Sequence, residues 1–221
     1  GCNARGTWFL DLGLAQLDGD SRQSPWSRWE DDGVRVGCND GAVLDAERNR
    51  ILYNSFAGWY ELDLERRSWR QLNSDGWQQR ASSRIVTDAE ETDFLLQFGG
   101  GVIDGYMRRE LDSESLEGRI IKTTGLREIE DVLKPGAVFD EEIGKIVAWA
   151  GGANVYVLDL SQNAWIKQEP APINEVEPGP QNAAGGTFGR FQKSEKMNVY
   201  ILMDQATENV FLYRLDAASM D

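Results

Sequence analysis

The chain has 221 residues, 41% of them hydrophobic, with 23 Lys and Arg against 37 Asp and Glu for a net charge of −14. That length and composition suit one or two globular domains with a buried core, and so acidic a surface repels phosphate backbones and anionic membranes. Histidine is absent, which excludes Ser-His-Asp hydrolysis, Cys-His catalysis and His-ligated zinc or copper, and no run of 18 apolar residues could span a bilayer.

Two cysteines, Cys2 and Cys38, cannot build a Cys-rich metal site. They form either one disulfide or two buried thiols. The first residue is not Met and no charged-then-apolar leader precedes the strands, so the expectation is a removed leader or a piece of a longer protein.

Taken in order, the chain is a series of self-similar segments. Thr7-Trp8-Phe9-Leu10-Asp11-Leu12 reads as a third strand, and Trp26 to Trp29 as a fourth. Between them, Leu14 to Pro25 is an insertion whose Asp18-Gly19-Asp20 turn lacks the ligand spacing of a calcium loop. Ala42-Val43-Leu44-Asp45 then runs through five mostly polar residues into Ile51-Leu52-Tyr53. Arg84 to Leu96 and Ala137 to Ala148 repeat that design: an apolar run ending at or near Asp, a polar turn and a returning strand, hence a β-hairpin.

A second signature follows each hairpin. Trp59-Tyr60-Glu61-Leu62-Asp63-Leu64 leads to Trp69, and Val155-Tyr156-Val157-Leu158-Asp159-Leu160 leads to Trp165. Asp and Trp are six apart in both, and the two copies are 96 residues apart. A weaker copy, Tyr106 to Asp112 with Arg119 to Lys122, lies between them, so the period is about 48 residues, the length of a four-stranded blade. The last repeat starts at Gly189-Arg190-Phe191, returns at Val199 to Leu202 and ends on Asn209 to Leu215.

Three features together resemble kelch-repeat and galactose-oxidase-central-domain propellers: Gly99-Gly100-Gly101 and Gly151-Gly152 at the end of the second strand, the aromatic-x-Leu-Asp-Leu third strand, and the Trp six residues later. The resemblance implies an all-β chain, a β-propeller of four-stranded antiparallel blades with about four to five present. The expected division of the single domain 1–221 is a partial blade over 1–36 and blades over about 37–76, 77–134, 135–184 and 185–221. Kelch rings of six or seven blades are expected from the resemblance, so this chain is either a small propeller closed between its first and last strands or part of a larger ring. The Trp is expected to plug the space between blades, its burial worth roughly 2–4 kcal/mol. The Trp is replaced near Gly118, and the double Gly is missing after Phe56 and in the last repeat.

In such a ring, the loops between second and third strands and between blades lie on one face and carry binding. The candidate ligand-binding residues are Trp77 and Arg80 ahead of a first strand, Asp104 and Tyr106 in the long loop Val102 to Tyr106, and Asn154. Kelch-like repeats commonly aim an Arg at this place into the axial pocket, which Arg80 matches. Trp77 and Tyr106 would stack on a sugar or aromatic side chain, with Arg80, Asp104 and Asn154 supplying hydrogen bonds. Trp77 packing on a neighbouring blade and Arg80 in an ion pair is the plainer account. The Pro-rich stretch Glu169 to Gly186 is either an elongated crossing or a lid and partner surface. The acidic groups Asp88, Glu90, Glu91, Asp93 and Asp140, Glu141, Glu142 are expected on solvated hairpin turns.

No nucleotide loop or sialidase turn occurs, and no paired carboxylates are specified. The leading expectation is therefore a non-catalytic recognition or scaffold propeller for a glycan or protein, with no cofactor, no metal and no catalytic residue. The alternative is a carbohydrate-active enzyme (a glycosidase, lyase or sugar-acid mutarotase) using carboxylate, Arg and Tyr groups. A third is a structural module in a longer protein, its partners being a preceding domain or missing blades of the same polypeptide. An extracellular or periplasmic location is expected from the resemblance.

Overall fold

The computed structural model describes residues 7–10, 26–28, 41–55, 58–73, 84–87, 93–101, 103–181 and 186–215. Strands β1 (Trp8–Leu10) and β2 (Trp26–Arg28) form a two-stranded antiparallel sheet. Strands β3 (Gly41–Asp45), β4 (Arg50–Ser55), β5 (Gly58–Asp63) and β6 (Ser68–Asn73) form a four-stranded meander. The next is β7 (Arg84–Thr87), β8 (Phe94–Phe98), β9 (Tyr106–Glu110) and β10 (Gly118–Ile121). A two-residue strand β11 (Thr124–Gly125) and a helical turn α1 (Glu128–Asp131) then lead to β12 (Gly136–Asp140), β13 (Lys145–Trp149), β14 (Val155–Asp159) and β15 (Ala164–Gln168). The last sheet is β16 (Phe191–Ser194), β17 (Val199–Leu202) and β18 (Phe211–Tyr213).

The first strands of successive sheets lie side by side, β3 against β7, β7 against β12 and β12 against β16. Each sheet therefore radiates outward from its first strand and packs face to face on the next, which is the geometry of β-propeller blades. Three cores fill the spaces between them. Leu52 and Trp59 meet Leu95, Leu111 and Leu116. Leu96, Phe98 and Tyr106 meet Ala148, Leu158 and Trp165. Val147, Trp149 and Val157 meet Phe191, Tyr200 and Leu202. Neighbouring residues of one strand, such as Leu95 and Leu96, enter different cores because side chains alternate across a strand. A strand buried on both faces needs a continuous apolar run, and Phe94-Leu95-Leu96 and Ile146-Val147-Ala148 supply one.

Trp165 plugs the space between blades as its place in the repeat implies, with its ring 5.2 Å from that of Phe98 in the preceding sheet. Trp69 is half-buried, edge-on to Tyr53, and its indole donates to Thr7 Oγ1 at 2.7 Å. The Gly-rich strand ends support the connections between blades. The Gly100 N–H donates to the Val132 carbonyl at 2.7 Å, and the Gly152 N–H to the Gly179 carbonyl at 3.1 Å.

The hairpin acids require a correction. Asp140 ends β12 but is buried and accepts hydrogen bonds from the Lys193 ammonium and the Tyr200 hydroxyl of the next sheet. Asp45, at the matching place in β3, is also buried and accepts from Arg50 Nε at 2.8 Å. Arg50 continues to Glu61 Oε2 at 2.8 Å and to the Leu111 carbonyl of the next sheet. These turns point their carboxylates inward because a buried strand end has unmet donors opposite it. Glu141, Glu142 and Asp93 are exposed as expected, although Asp93 accepts from Arg48 at 2.7 Å. Asp88, Glu90 and Glu91 lie outside the described residues, as do Cys2, Cys38 and the whole insertion from Leu14 to Pro25.

Candidate functional site

The β8–β9 loop and the connection from β10 to β12 border one open cleft of about 610 Å³. Gly101, Ile103 and Asp104 form one wall, and Gly125 to Glu128 with Glu130 and Asp131 form the other. Both walls belong to the face where the Gly-rich strand ends meet the connections between blades.

The connection folds back because its own carboxylate is needed inside. Glu130, on α1, is buried and accepts from the Trp165 indole at 2.8 Å, from the Thr123 hydroxyl and from Arg127 Nε at 3.0 Å. Arg127 then crosses the cleft floor, its Nη2 bonded to Asp104 and 2.9 Å from Glu130 Oε2. The chain Trp165–Glu130–Arg127–Asp104 thus runs from the core between blades to the cleft rim. Sequence reasoning missed Arg127 and Glu130. Their i,i+3 spacing is the one local signal, and the partners that give it meaning, Asp104 and Trp165, come from the preceding loop and the following sheet.

Asp104 remains 62% exposed and has Lys122 Nζ 3.7 Å away. The hydrogen bond and charge of Arg127, with Lys122 adding to them, hold its carboxyl below the usual range. A general acid needs the opposite shift. With Glu128, Glu130 and Asp131 against Arg127, the lining is predominantly acidic. Among the described residues no group of three or more acidic or cysteine side chains is placed to hold a metal ion.

The other expected site residues separate. Tyr106 is 3% exposed in the core between the second and third complete sheets, where its hydroxyl donates to Asn163 Oδ1 at 2.7 Å. It is the first residue of β9 and packs inward, as Trp59 does in β5, so it offers no ring to a ligand on the loop face. Asn154 sits half-buried in the equivalent β13–β14 loop and is not among the residues lining the cleft. Trp77 and Arg80 lie outside the described residues. Of the three that lie among the described residues, only Asp104 lines this cleft.

No protein-family model and no curated protein matches the chain. Solved structures do. An auxiliary nutrient binding protein from Bacteroides thetaiotaomicron superposes with a TM-score of 0.55 at 10% identity, over 80% of this chain and 38% of that one. The chain thus spans well under two thirds of that protein's length. A chain of the nidogen–laminin complex gives 0.52 at 10% identity over 97% of this chain and 92% of the other. YjhT gives 0.53 at 8% identity over 86% and 72%. At these identities the likeness concerns the fold, and with the radial sheets it makes this chain a β-propeller.

Proposed function

We propose that the chain is a kelch-like recognition propeller that binds a protein partner through its loop face, with the acidic cleft beside Asp104 as a contact point. The carrying observation is the Asp104–Arg127–Glu130 chain, which fixes the cleft walls to the core before any ligand arrives. Preorganised walls lower the cost of binding. The acidic lining and the net charge of −14 favour a partner that is basic where it meets the cleft. The structural neighbours include a nutrient binding protein and a chain from a complex of two proteins, which supports a binding role. A glycan is the second candidate ligand, and an extracellular or periplasmic location belongs to the same reading.

The test is a screen of the chain against immobilised glycans and peptides of both charge signs, with Asp104→Arg and Arg80→Ala in parallel. A basic peptide whose binding falls at least about tenfold in Asp104→Arg fits the reading. Ligands untouched by Asp104→Arg would remove the cleft from it. Loss in Arg80→Ala alone would move the contact to the connection that precedes β7.

A further inference from the structure

The Pro-rich connection builds a second concavity on its way from β15 to β16. Pro170, Val176 and Pro178 form one wall, and Phe211, Tyr213 and Arg214, in and just after β18, form the other, around about 220 Å³. A cavity of about 150 Å³ already accepts benzene. The connection is set in advance. The Asn174 N–H donates to the Ala171 carbonyl at 2.8 Å, and the Asn174 amide bonds the Val176 carbonyl at 2.7 Å. Prolines restrict the rest.

The polar groups of this pocket are unequally engaged. Asn174 is occupied within its own turn. The Tyr213 hydroxyl donates to the Gly152 carbonyl at 3.1 Å, and burial, with the nearby Glu177 charge adding to it, pushes its pKa up to about 12. Arg214 is exposed and forms no ion pair with any described residue, whereas Arg48, Arg50, Arg70, Arg108, Arg127 and Lys193 all do. A cation with no ion-pair partner among the described residues therefore lines a partly apolar, partly aromatic pocket in a strongly acidic protein. At the rim, Val176 and Leu212 remain 57% and 63% exposed.

We propose that this pocket binds a small organic carboxylate with an apolar body, its acid group on Arg214 and its body between the proline wall and Phe211. Guanidinium recognises carboxylate through paired charge-assisted hydrogen bonds, while the walls reward burial of the body. The Glu177 charge near Tyr213 disfavours the reverse orientation.

The probes are phenylacetate and its uncharged counterpart phenylacetamide, titrated into the full chain by NMR or calorimetry. The expected result is phenylacetate binding at millimolar strength, at least about tenfold weaker for phenylacetamide and for phenylacetate on Arg214→Gln. Because Arg214 is exposed, that variant should keep the wild-type melting temperature, and Val176→Asp should close the pocket to the acid by repulsion. Equal binding of acid and amide, unchanged binding by Arg214→Gln, or no binding up to about 10 mM would overturn the proposal. Binding of acetyl-Ala-Phe without binding of phenylacetate would overturn the free acid in favour of a peptide C-terminus. Arg214 lines none of the Asp104 cleft, so this pocket and that cleft fail or succeed independently.

Discussion

Lys193 of β16 and Asp140 of β12 form an ion pair across two blades with only 2% of the lysine side chain exposed. Glu142 and Glu195 each stand 3.3 Å from the same ammonium, and Tyr200 donates to the other oxygen of Asp140. Removing one partner of a buried pair leaves an uncompensated charge. Asp140→Ala is therefore expected to cost about 3 kcal/mol in denaturant unfolding. Lys193→Met strands the buried Asp140 with Tyr200 as its remaining partner, whereas the ammonium in Asp140→Ala keeps Glu142 and Glu195. Lys193→Met should therefore cost at least as much, and the double variant less than the sum of the two. Additive losses would show that the two groups do not act as a pair.

The same contact and its counterpart in the first complete sheet set a pH window. For Glu61, burial opposes the charged form, but the hydrogen bonds and charges of Arg70 and Arg50 prevail and hold its pKa below 4.5. A depressed folded pKa gives stability that is complete above the unfolded value and is lost as pH falls through the folded one. For Lys193, burial again opposes charge, and Asp140, then Glu142 and Glu195, lift its pKa above 10.5. That contribution is complete below 10.5 and is lost as pH rises through the folded value. Stability should be flat between the two limbs. Glu61→Gln should make the acid limb shallower, to which the lowered Asp159 also contributes, and Lys193→Met the alkaline limb, to which the raised Tyr200 also contributes, as read by melting temperature against pH.

Gly125 and Gly144 give a matched comparison. Both have positive φ, +80° and +61°. A Cβ at Gly125 would stand 2.2 Å from the Trp165 carbonyl oxygen, whereas one at Gly144 meets nothing within 4 Å. Gly144→Ala should cost about 1 kcal/mol, the left-handed penalty alone. Gly125→Ala must also displace backbone and should cost at least about 2–3 kcal/mol. Equal losses in chemical denaturation would mean that β11 is free to move aside.

Trp165→Phe tests the link from core to cleft. It trims a buried ring and removes the donor 2.8 Å from Glu130 Oε1. The expected loss is about 2–4 kcal/mol, and hydrogen exchange should quicken in α1 and at Arg127. Destabilisation without faster exchange there would mean that Glu130 is held by Thr123 and Arg127 alone.

The strands were legible because each repeat states its periodicity locally. Apolar runs stop at Asp45 and Asp140, and aromatic and β-branched residues gather before Asp63 and Asp159. The inward turn of Asp140 was not legible, since its partner Lys193 is 53 residues away and each reads alone as a solvated charge. α1 and β11 carry no period of their own. Two residues pairing parallel to a strand some forty positions later leave no trace in a window. Tyr106 could have been placed correctly: aligning it with Trp59 in the repeat puts it in the core. At the cleft, the loop position of Asp104 was readable, while the buried role of Glu130 depends on an indole from another sheet.

The parallel pairing of Thr124 and Gly125 with Ala164 and Trp165 means that the outer margin of one blade is finished by residues belonging to the blade before it. The unit that can be moved is then not the sheet. A graft of residues 136–168 into another ring would leave the margin of β15 bare and inclined to pair with other molecules. A graft that begins at β11 would keep the two together. This protein's modular joint therefore falls about a dozen residues earlier than its meander suggests.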